Sequence, residues 1–160
     1  MTGLAGQRIL LGVSGGIAFG YFTFEYKGYL PHVSLLTRNT FDPFMTMLER
    51  LGIVQDVQQT NKPDIAEKNL QNILETGLYP LAWADYFSMP YNDLPADEAM
   101  WGMMPILAVK SDGATVTVAD RSSQPMDVSM ETLTKARGRV KLDKYRLMTL
   151  EAPQPTKLAG

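Results

Sequence analysis

The chain has 160 residues, of which 45% are hydrophobic and 20% are charged, and its formal net charge at pH 7 is −2. This composition is typical of a globular protein with a sizeable core, and it lacks the basic excess of a nucleic-acid-binding protein. With no cysteine and one histidine, the chain cannot supply a thiolate nucleophile, a disulfide or a Cys/His zinc site. We expect neither a metal nor a cofactor.

The most apolar stretch, Ile9 to Phe24, contains four glycines and is shorter than the roughly 20 residues that a membrane-spanning helix needs. It also lacks the charged start and the small-residue cleavage site of a signal peptide. We therefore predict a cytoplasmic protein that binds neither membranes nor nucleic acid.

The first half of the chain predicts two helices and two short strands. One helix starts after the N-cap residue Thr40 and ends at Leu51, just before Gly52. The other has apolar residues at helical spacing and is followed by Gly77, a common residue after a helix end. This second helix covers Asn61–Thr76, its apolar positions are Ile65, Leu70, Ile73 and Leu74, and the strands are Val33–Thr37 and Val54–Val57.

The second half favours strands. Ser111-Asp112-Gly113 lies between Pro105–Lys110 and Ala114–Ala119, a pattern typical of a β-hairpin. Helices first and an antiparallel sheet later indicate an α+β fold, which we expect to form one domain over 1–152 before a tail or linker at 153–160. The other predicted elements are strands at Tyr79–Ala84 and Met126–Val128, a helix from the cap Ser129 to about Arg137, and an alternating strand at Tyr145–Leu150.

The basic stretch Lys135 to Lys144 is interrupted by Asp143 and by apolar residues. We interpret it as a solvated helix end leading into the last strand, not as a phosphate-binding patch.

The glycine-rich segment Arg8 to Ala18 (RILLGVSGGIA) resembles the opening strand and phosphate turn of flavin-dependent decarboxylases related to phosphopantothenoylcysteine decarboxylase. Glycines allow backbone N–H groups to approach a phosphate at a helix N-terminus. Such a site needs an amphipathic helix next, whereas Phe19 to Phe24 is aromatic and β-prone. We favour a tight turn packed on the core, keep Gly15 and Gly16 as candidate ligand-binding residues, and retain a flavoprotein as an alternative.

A segment rich in acidic and aromatic residues runs from Trp83 to Trp101. Such a loop can recognise a cationic amine through carboxylate pairing and cation–π contact, and it is also typical of an exposed loop that covers a sheet edge. Its candidate ligand-binding residues are Asp85 and Tyr91. We interpret Asp120-Arg121 as a strand-end ion pair or turn, with pocket lining as the alternative role.

Two further features have structural interpretations. His32 lies in a predicted strand, where adjacent hydroxyl residues point to opposite faces, so we interpret it as a structural histidine. Met100, Met103 and Met104 with Trp101 form either core or a contact face, because Met and Trp are enriched at interfaces. The alternative function is therefore an interaction module that forms a homodimer or docks on a second domain of the same gene product.

From Gly12 to about Ala152 the order of motifs resembles the N-terminal domain of the butirosin-biosynthesis protein H family. Those proteins resemble papain-fold peptidases, including the cysteine peptidases of bacteriocin export. The resemblance implies a partial papain-like domain with helices packed on a twisted antiparallel sheet. The matching stretches are GGIAFGYF (15–22), ERLGI (49–53), LETGLYPLAWADYFSMPYN (74–92), PILAVKSDGATVTVADR (105–121) and SMETLTKARG (129–138).

The resemblance implies an acyl-transfer site, in which an aminoacyl group passes from a carrier-protein thioester to an aminoglycoside amine. That chemistry needs a thiolate, a histidine that activates it and a carboxylate or amide that orients the histidine. The family's cysteine precedes the glycine segment. The family also has a His-aromatic-Gly-x-His pattern, and in the corresponding run Met100–Met104 both histidine positions are methionine. Only Asp120 matches, at the orienting-carboxylate position.

Either the chain lacks a native N-terminal segment, or this branch of the family has lost the triad. A longer N-terminus could restore a cysteine but not the histidines missing from the run Met100–Met104, so we favour a degenerate or reassigned site. The expected function is a pseudoenzyme of secondary metabolism, non-catalytic on its own, that binds a small amine or a carrier-protein-linked substrate.

Overall fold

The computed structural model describes residues 13, 20–25, 27–28, 30–36, 43–94, 101–121 and 124–151. The contacts divide the chain into two compact units, one formed by Met1–Val54 with Glu151–Gly160 and the other by Gln55–Leu150. The single domain over 1–152 stays a prediction, and the predicted tail at 153–160 lies outside the described residues.

The first unit contains a two-stranded antiparallel ribbon and a helix. Strand β1 (Gly20–Phe24) pairs with β2 (His32–Leu36), so the aromatic run after the glycine motif is a strand, as its β-propensity indicates. Helix α1 (Pro43–Arg50) is followed by Gly52, whose φ of 64° is the left-handed conformation that glycine adopts readily after a helix. The predicted cap Thr40 lies outside the described residues.

Six strands form one sheet in the rest of the described chain, and two helices accompany them. The order across the sheet is β3-β8-β4-β5-β6-β7, and the four pairings from β8 to β7 are antiparallel. The predicted α+β fold is therefore confirmed. The elements are β3 (Val54–Gln58), α2 (Pro63–Glu75), β4 (Leu81–Asp85), β5 (Met103–Ser111), β6 (Thr115–Ala119), β7 (Met126–Ser129), α3 (Met130–Gly138) and β8 (Leu147–Glu151).

The hydrophobic core of the second unit joins both helices to the sheet. Leu70 and Ile73 of α2 and Leu133 of α3 belong to one buried cluster with residues of β4, β5, β6, β7 and β8. The predicted apolar face of α2 is confirmed toward the C-terminal end of the helix, where Leu70 and Ile73 are buried. Near the start of the helix it is wrong, because Ala66 is buried and Ile65 is exposed. No helix in the described part of the chain has both the length and the hydrophobicity to span a bilayer.

Strand β8 does not alternate as predicted. Leu147, Met148 and Thr149 are all buried, so side chains on both faces of this inner strand are covered. A strand covered on both faces has no solvent side to expose, so its sequence carries no polar alternation.

A tight loop connects α3 to β8 around Tyr145, which has a left-handed φ of 53°. The Tyr145 backbone N–H donates to the carbonyl of Arg137 at 3.0 Å, and its ring lies against Gly138. A Cβ atom at Gly138 would lie 2.5 Å from Tyr145 Oη and 2.8 Å from Cζ. Because Tyr145 is buried, this close approach requires glycine.

We expect Gly138→Ala to lower the free energy of unfolding by about 2 kcal/mol, the usual scale of overpacking in a well-packed site. The clash outweighs the gain in helix propensity, which is at most about 1 kcal/mol. Gly102→Ala is the matched control, since its Cβ would meet only Phe87 at 3.6 Å. Urea denaturation of the two variants measures the difference, and equal stabilities would contradict the packing argument.

Candidate functional site

The candidate site begins with two 3₁₀ turns that follow β4. They cover Tyr86–Ser88 and Pro90–Asn92, and the Asn92 side-chain amide donates to the Tyr86 carbonyl at 2.9 Å. Asp93 then adopts a left-handed φ of 47°, a conformation that Asp tolerates better than most residues. These turns position the rings of Tyr86 and Tyr91 beside the end of β6.

The sheet topology brings Asp120 to the same end as the methionine run. In the antiparallel pair of β5 and β6, Leu107 lies opposite Ala119, the last residue of β6. Asp120 follows at once, and Met103 and Met104 begin β5. Adjacent strand ends therefore carry the two positions that the family resemblance assigns to an imidazole and its orienting carboxylate.

A cleft of about 320 Å³ opens at this end of the sheet. It brings Tyr91 together with the pair Asp120 and Arg121, candidate residues from two separate stretches of the sequence. Its lining residues are Tyr86, Tyr91, Asn92, Asp120, Arg121 and Met126.

Both carboxylate oxygens of Asp120 have protein partners. Tyr91 Oη donates to Oδ2 at 3.1 Å, and Arg121 Nε lies 3.5 Å from Oδ1. Burial and the charge of Asp120 raise the pKa of Tyr91 well above its ordinary value of 10.0. Tyr91 therefore keeps its proton at neutral pH and acts as a hydrogen-bond donor.

Arg121 combines the two roles that the sequence left open. Its side chain is 57% exposed, its ion pair with Asp120 is present, and it also lines the cleft. The guanidinium carbon lies 4.2 Å from the centre of the Tyr86 ring, which packs edge-on against Phe87. The cleft therefore offers a cation one aromatic face and one carboxylate.

Asp85 is not among the residues that line this cleft. Its side chain is fully buried, and it accepts hydrogen bonds from Arg139 Nη1 at 2.7 Å, from the Gly102 N–H at 2.8 Å and from the Ser88 hydroxyl. Burial alone would raise the pKa of Asp85, but these three donors together hold it below its ordinary value of 3.8. Its predicted contact with a ligand stays a prediction.

Sequence reasoning misses Arg139, because the interrupted basic stretch that contains it has the composition of a solvated helix end. That interpretation is wrong for two of its arginines: Arg139 pairs with Asp85, and Arg137 is fully buried. For Arg137 the helical spacing carries a signal, because residues 133, 136 and 137 of α3 lie on one face and that face is buried.

The remaining candidates lie outside the part of the chain that the structure describes. Gly15 and Gly16 are in this group, as are Met100 and the side chain of His32. The flavoprotein alternative depends on the same glycine segment. The four successive strand pairings from β8 across the sheet to β7 are antiparallel, whereas the alternating βαβ order of such flavoproteins gives parallel strands.

A second cleft, of about 510 Å³, lies between α2 and the β5–β6 hairpin. It is larger but contains none of the predicted site residues. Its lining is Gln71, Leu74, Glu75, Val109, Lys110, Ser111, Asp112 and Gly113. No three acidic or histidine side chains converge into a metal site within the described ranges.

Residues 5–121 match the family model described as "Butirosin biosynthesis protein H, N-terminal". The chain belongs to this family. No curated protein matches it. The matched range of this butirosin-biosynthesis protein H family member ends at Arg121, so it contains every residue that lines the Asp120 cleft except Met126.

We expect Asp85→Asn to lower the free energy of unfolding at pH 7 by about 3 kcal/mol, because Arg139 loses its buried counter-charge. A carboxylate whose pKa is lowered by folding stabilises the protein above its unfolded pKa and loses that effect as the pH falls through its folded pKa. The difference between wild type and variant in urea denaturation should therefore be constant from about pH 5 to 8 and shrink below about pH 4.

Asp143→Asn is the matched control, because Asp143 pairs with Arg146 at 3.1 Å in a more accessible place. Its expected loss is about 1 kcal/mol or less. Equal losses in the two variants, or a D85N effect that persists unchanged at pH 3, would contradict the buried ion pair.

Proposed function

We propose that this domain is a degenerate acyltransferase- or cysteine-peptidase-like domain that binds a small cationic amine in the Asp120 cleft and does not catalyse acyl transfer as it stands. One observation carries the proposal. The carboxylate of Asp120, at the position that the family resemblance assigns to the orienting group, is hydrogen-bonded by the hydroxyl of Tyr91.

Loss of catalysis is supported by the residues present. The chain contains no cysteine, and its single histidine is His32, whereas Met103 and Met104 begin the strand beside Asp120. Acyl transfer by this family's chemistry needs a thiolate and an imidazole in hydrogen-bond reach. Tyr91 is a poor substitute for the imidazole, because a phenol with a raised pKa is protonated at neutral pH and is not available as a general base.

Amine binding is supported by the cleft's chemistry. Asp120 supplies a carboxylate whose side chain is only 7% exposed, and the Tyr86 face already attracts a guanidinium. A carboxylate beside an aromatic face is a common arrangement for binding ammonium groups. The family resemblance adds the substrate class, since it implies an aminoglycoside amine as acceptor and a carrier-protein-linked acyl group as donor.

Isothermal titration with paromomycin, which carries several primary amines, tests the binding. We expect Asp120→Asn to weaken binding about tenfold, the factor that about 1.4 kcal/mol represents, because the variant removes the carboxylate charge. Fully N-acetylated paromomycin should not bind, since it has lost its cationic groups. The Asp120→Asn variant binding paromomycin as tightly as wild type would contradict the site.

Asp56→Asn is the charge-matched control, because Asp56 is exposed on β3 and does not line the cleft. A separate assay tests catalysis: the wild-type protein should release no thiol from an aminoacyl N-acetylcysteamine thioester in the presence of paromomycin. The assay has no protein background, since the chain has no thiol of its own. Thiol release above that of buffer would disprove the non-catalytic assignment.

A second candidate function is an interaction module. Trp101 is 61% exposed and Met104 is 39% exposed near the start of β5, and Met and Trp are enriched at interfaces. Sedimentation should then show a dimer that Trp101→Ala weakens, whereas a chain that remains monomeric at millimolar concentration argues against the module.

A further inference from the structure

The cationic position of the Asp120 cleft is filled by the chain itself. Arg121 places its guanidinium carbon 4.2 Å from the Tyr86 ring centre and its Nε 3.5 Å from the Asp120 carboxylate. These are the two contacts that a cationic ligand would make there. Arg121 and a ligand therefore compete for the same aromatic face and the same carboxylate.

The contacts of Arg121 are weak enough to exchange. Arg139, which has a structural role, lies 2.7 Å from a fully buried carboxylate and is 27% exposed. Arg121 is 57% exposed and lies 3.5 Å from Asp120. Exposed ion pairs and exposed cation–π contacts each contribute little to stability. The need to displace Arg121 should therefore lower the affinity of the cleft for an incoming cation by only about tenfold.

The geometry also selects the shape of the cation. A guanidinium is planar, so it can stack on an aromatic ring while its edge donates to a carboxylate. The cleft accommodates this arrangement between Tyr86 and Asp120. An ammonium is compact and strongly hydrated, and it gains less from the aromatic face.

We propose that the Asp120 cleft is a guanidinium-selective site that Arg121 occupies until a guanidinium-bearing small molecule displaces it. The inference rests on the proposed function, because it names the ligand class and a self-occupying residue of the same cleft. Arg121 thereby sets the apparent affinity of the site, while Asp120 and Tyr86 make the contacts.

Agmatine and putrescine test the inference, since both are small dications and only agmatine carries a guanidinium. Isothermal titration should show that Arg121→Ala binds agmatine about tenfold more tightly than wild type does, and that this variant prefers agmatine to putrescine about tenfold. Arg121→Lys keeps the charge but loses the planar group, so it should bind agmatine at least about threefold more tightly than wild type.

Lys141→Ala is the matched control for net charge, because Lys141 is exposed and does not line the cleft. It should change agmatine affinity less than twofold. In ¹⁵N-resolved spectra of the wild type, agmatine should shift the Arg121 Nε–H signal as that group leaves Asp120.

The outcomes separate this inference from the proposed function. Equal agmatine affinity in wild type and Arg121→Ala overturns self-occupation, and equal affinity of Arg121→Ala for the two probes overturns guanidinium selectivity. In both cases Asp120-dependent binding of paromomycin would leave the proposed function standing. If neither agmatine nor putrescine binds to wild type or to Arg121→Ala, and Asp120→Asn does not change paromomycin binding, both proposals are wrong.

Discussion

The candidate site depends on the hydrogen bonds that three donors make to the buried carboxylate of Asp85. A charge inside a protein is costly unless donors surround it, and here three donors from separate segments converge on one side chain. Arg139 follows α3, Ser88 belongs to the turn after β4, and Gly102 precedes β5. Because Tyr86 also donates its N–H to the Gly102 carbonyl at 2.8 Å, the same network fixes the start of the cleft wall.

Arg137 shows the opposite electrostatic arrangement. It is fully buried without a carboxylate in hydrogen-bond reach among the described residues, and burial lowers its pKa to about 10. Its guanidinium instead donates to the carbonyls of Ala66 at 3.4 Å and Tyr145 at 3.2 Å. The cation remains charged at neutral pH, and it ties the end of α3 to α2 and to the loop before β8. Its hydrogen bond to the Tyr145 carbonyl stabilises the loop in which Tyr145 adopts its left-handed conformation.

Local structure was largely predictable from the sequence. The Ser111-Asp112-Gly113 turn forms because Asp112 Oδ1 accepts the N–H groups of Ala114 and Thr115 at 3.0 and 2.7 Å. Ser129 caps α3 by accepting the Thr132 N–H, as its residue type indicates. Both interactions span three residues or fewer, so residue type and position contain the information needed.

The interactions that build the site span much longer stretches of chain. Asp85 and Arg139 are 54 residues apart, and Tyr91 and Asp120 are 29 apart. Neither pair has a local signature, and hydrophobic periodicity treats a buried arginine as a solvent-facing residue. The insertion of β8 between β3 and β4 is likewise a matter of tertiary pairing. Family resemblance could locate Asp120, but it could not supply its tyrosine partner.

The partner of Asp120 determines what chemistry remains. An orienting carboxylate contributes to acyl transfer by holding an imidazole that gains and loses a proton. Paired with Tyr91, whose pKa is raised, the same carboxylate faces a group that stays protonated at neutral pH. Under the proposed function the site therefore acts through charge and shape, since a protonated phenol is not a general base at neutral pH. In the proposed role the Asp120 carboxylate, the aromatic face of Tyr86 and Arg121 all take part in recognising a cation, and none of them has to gain or lose a proton.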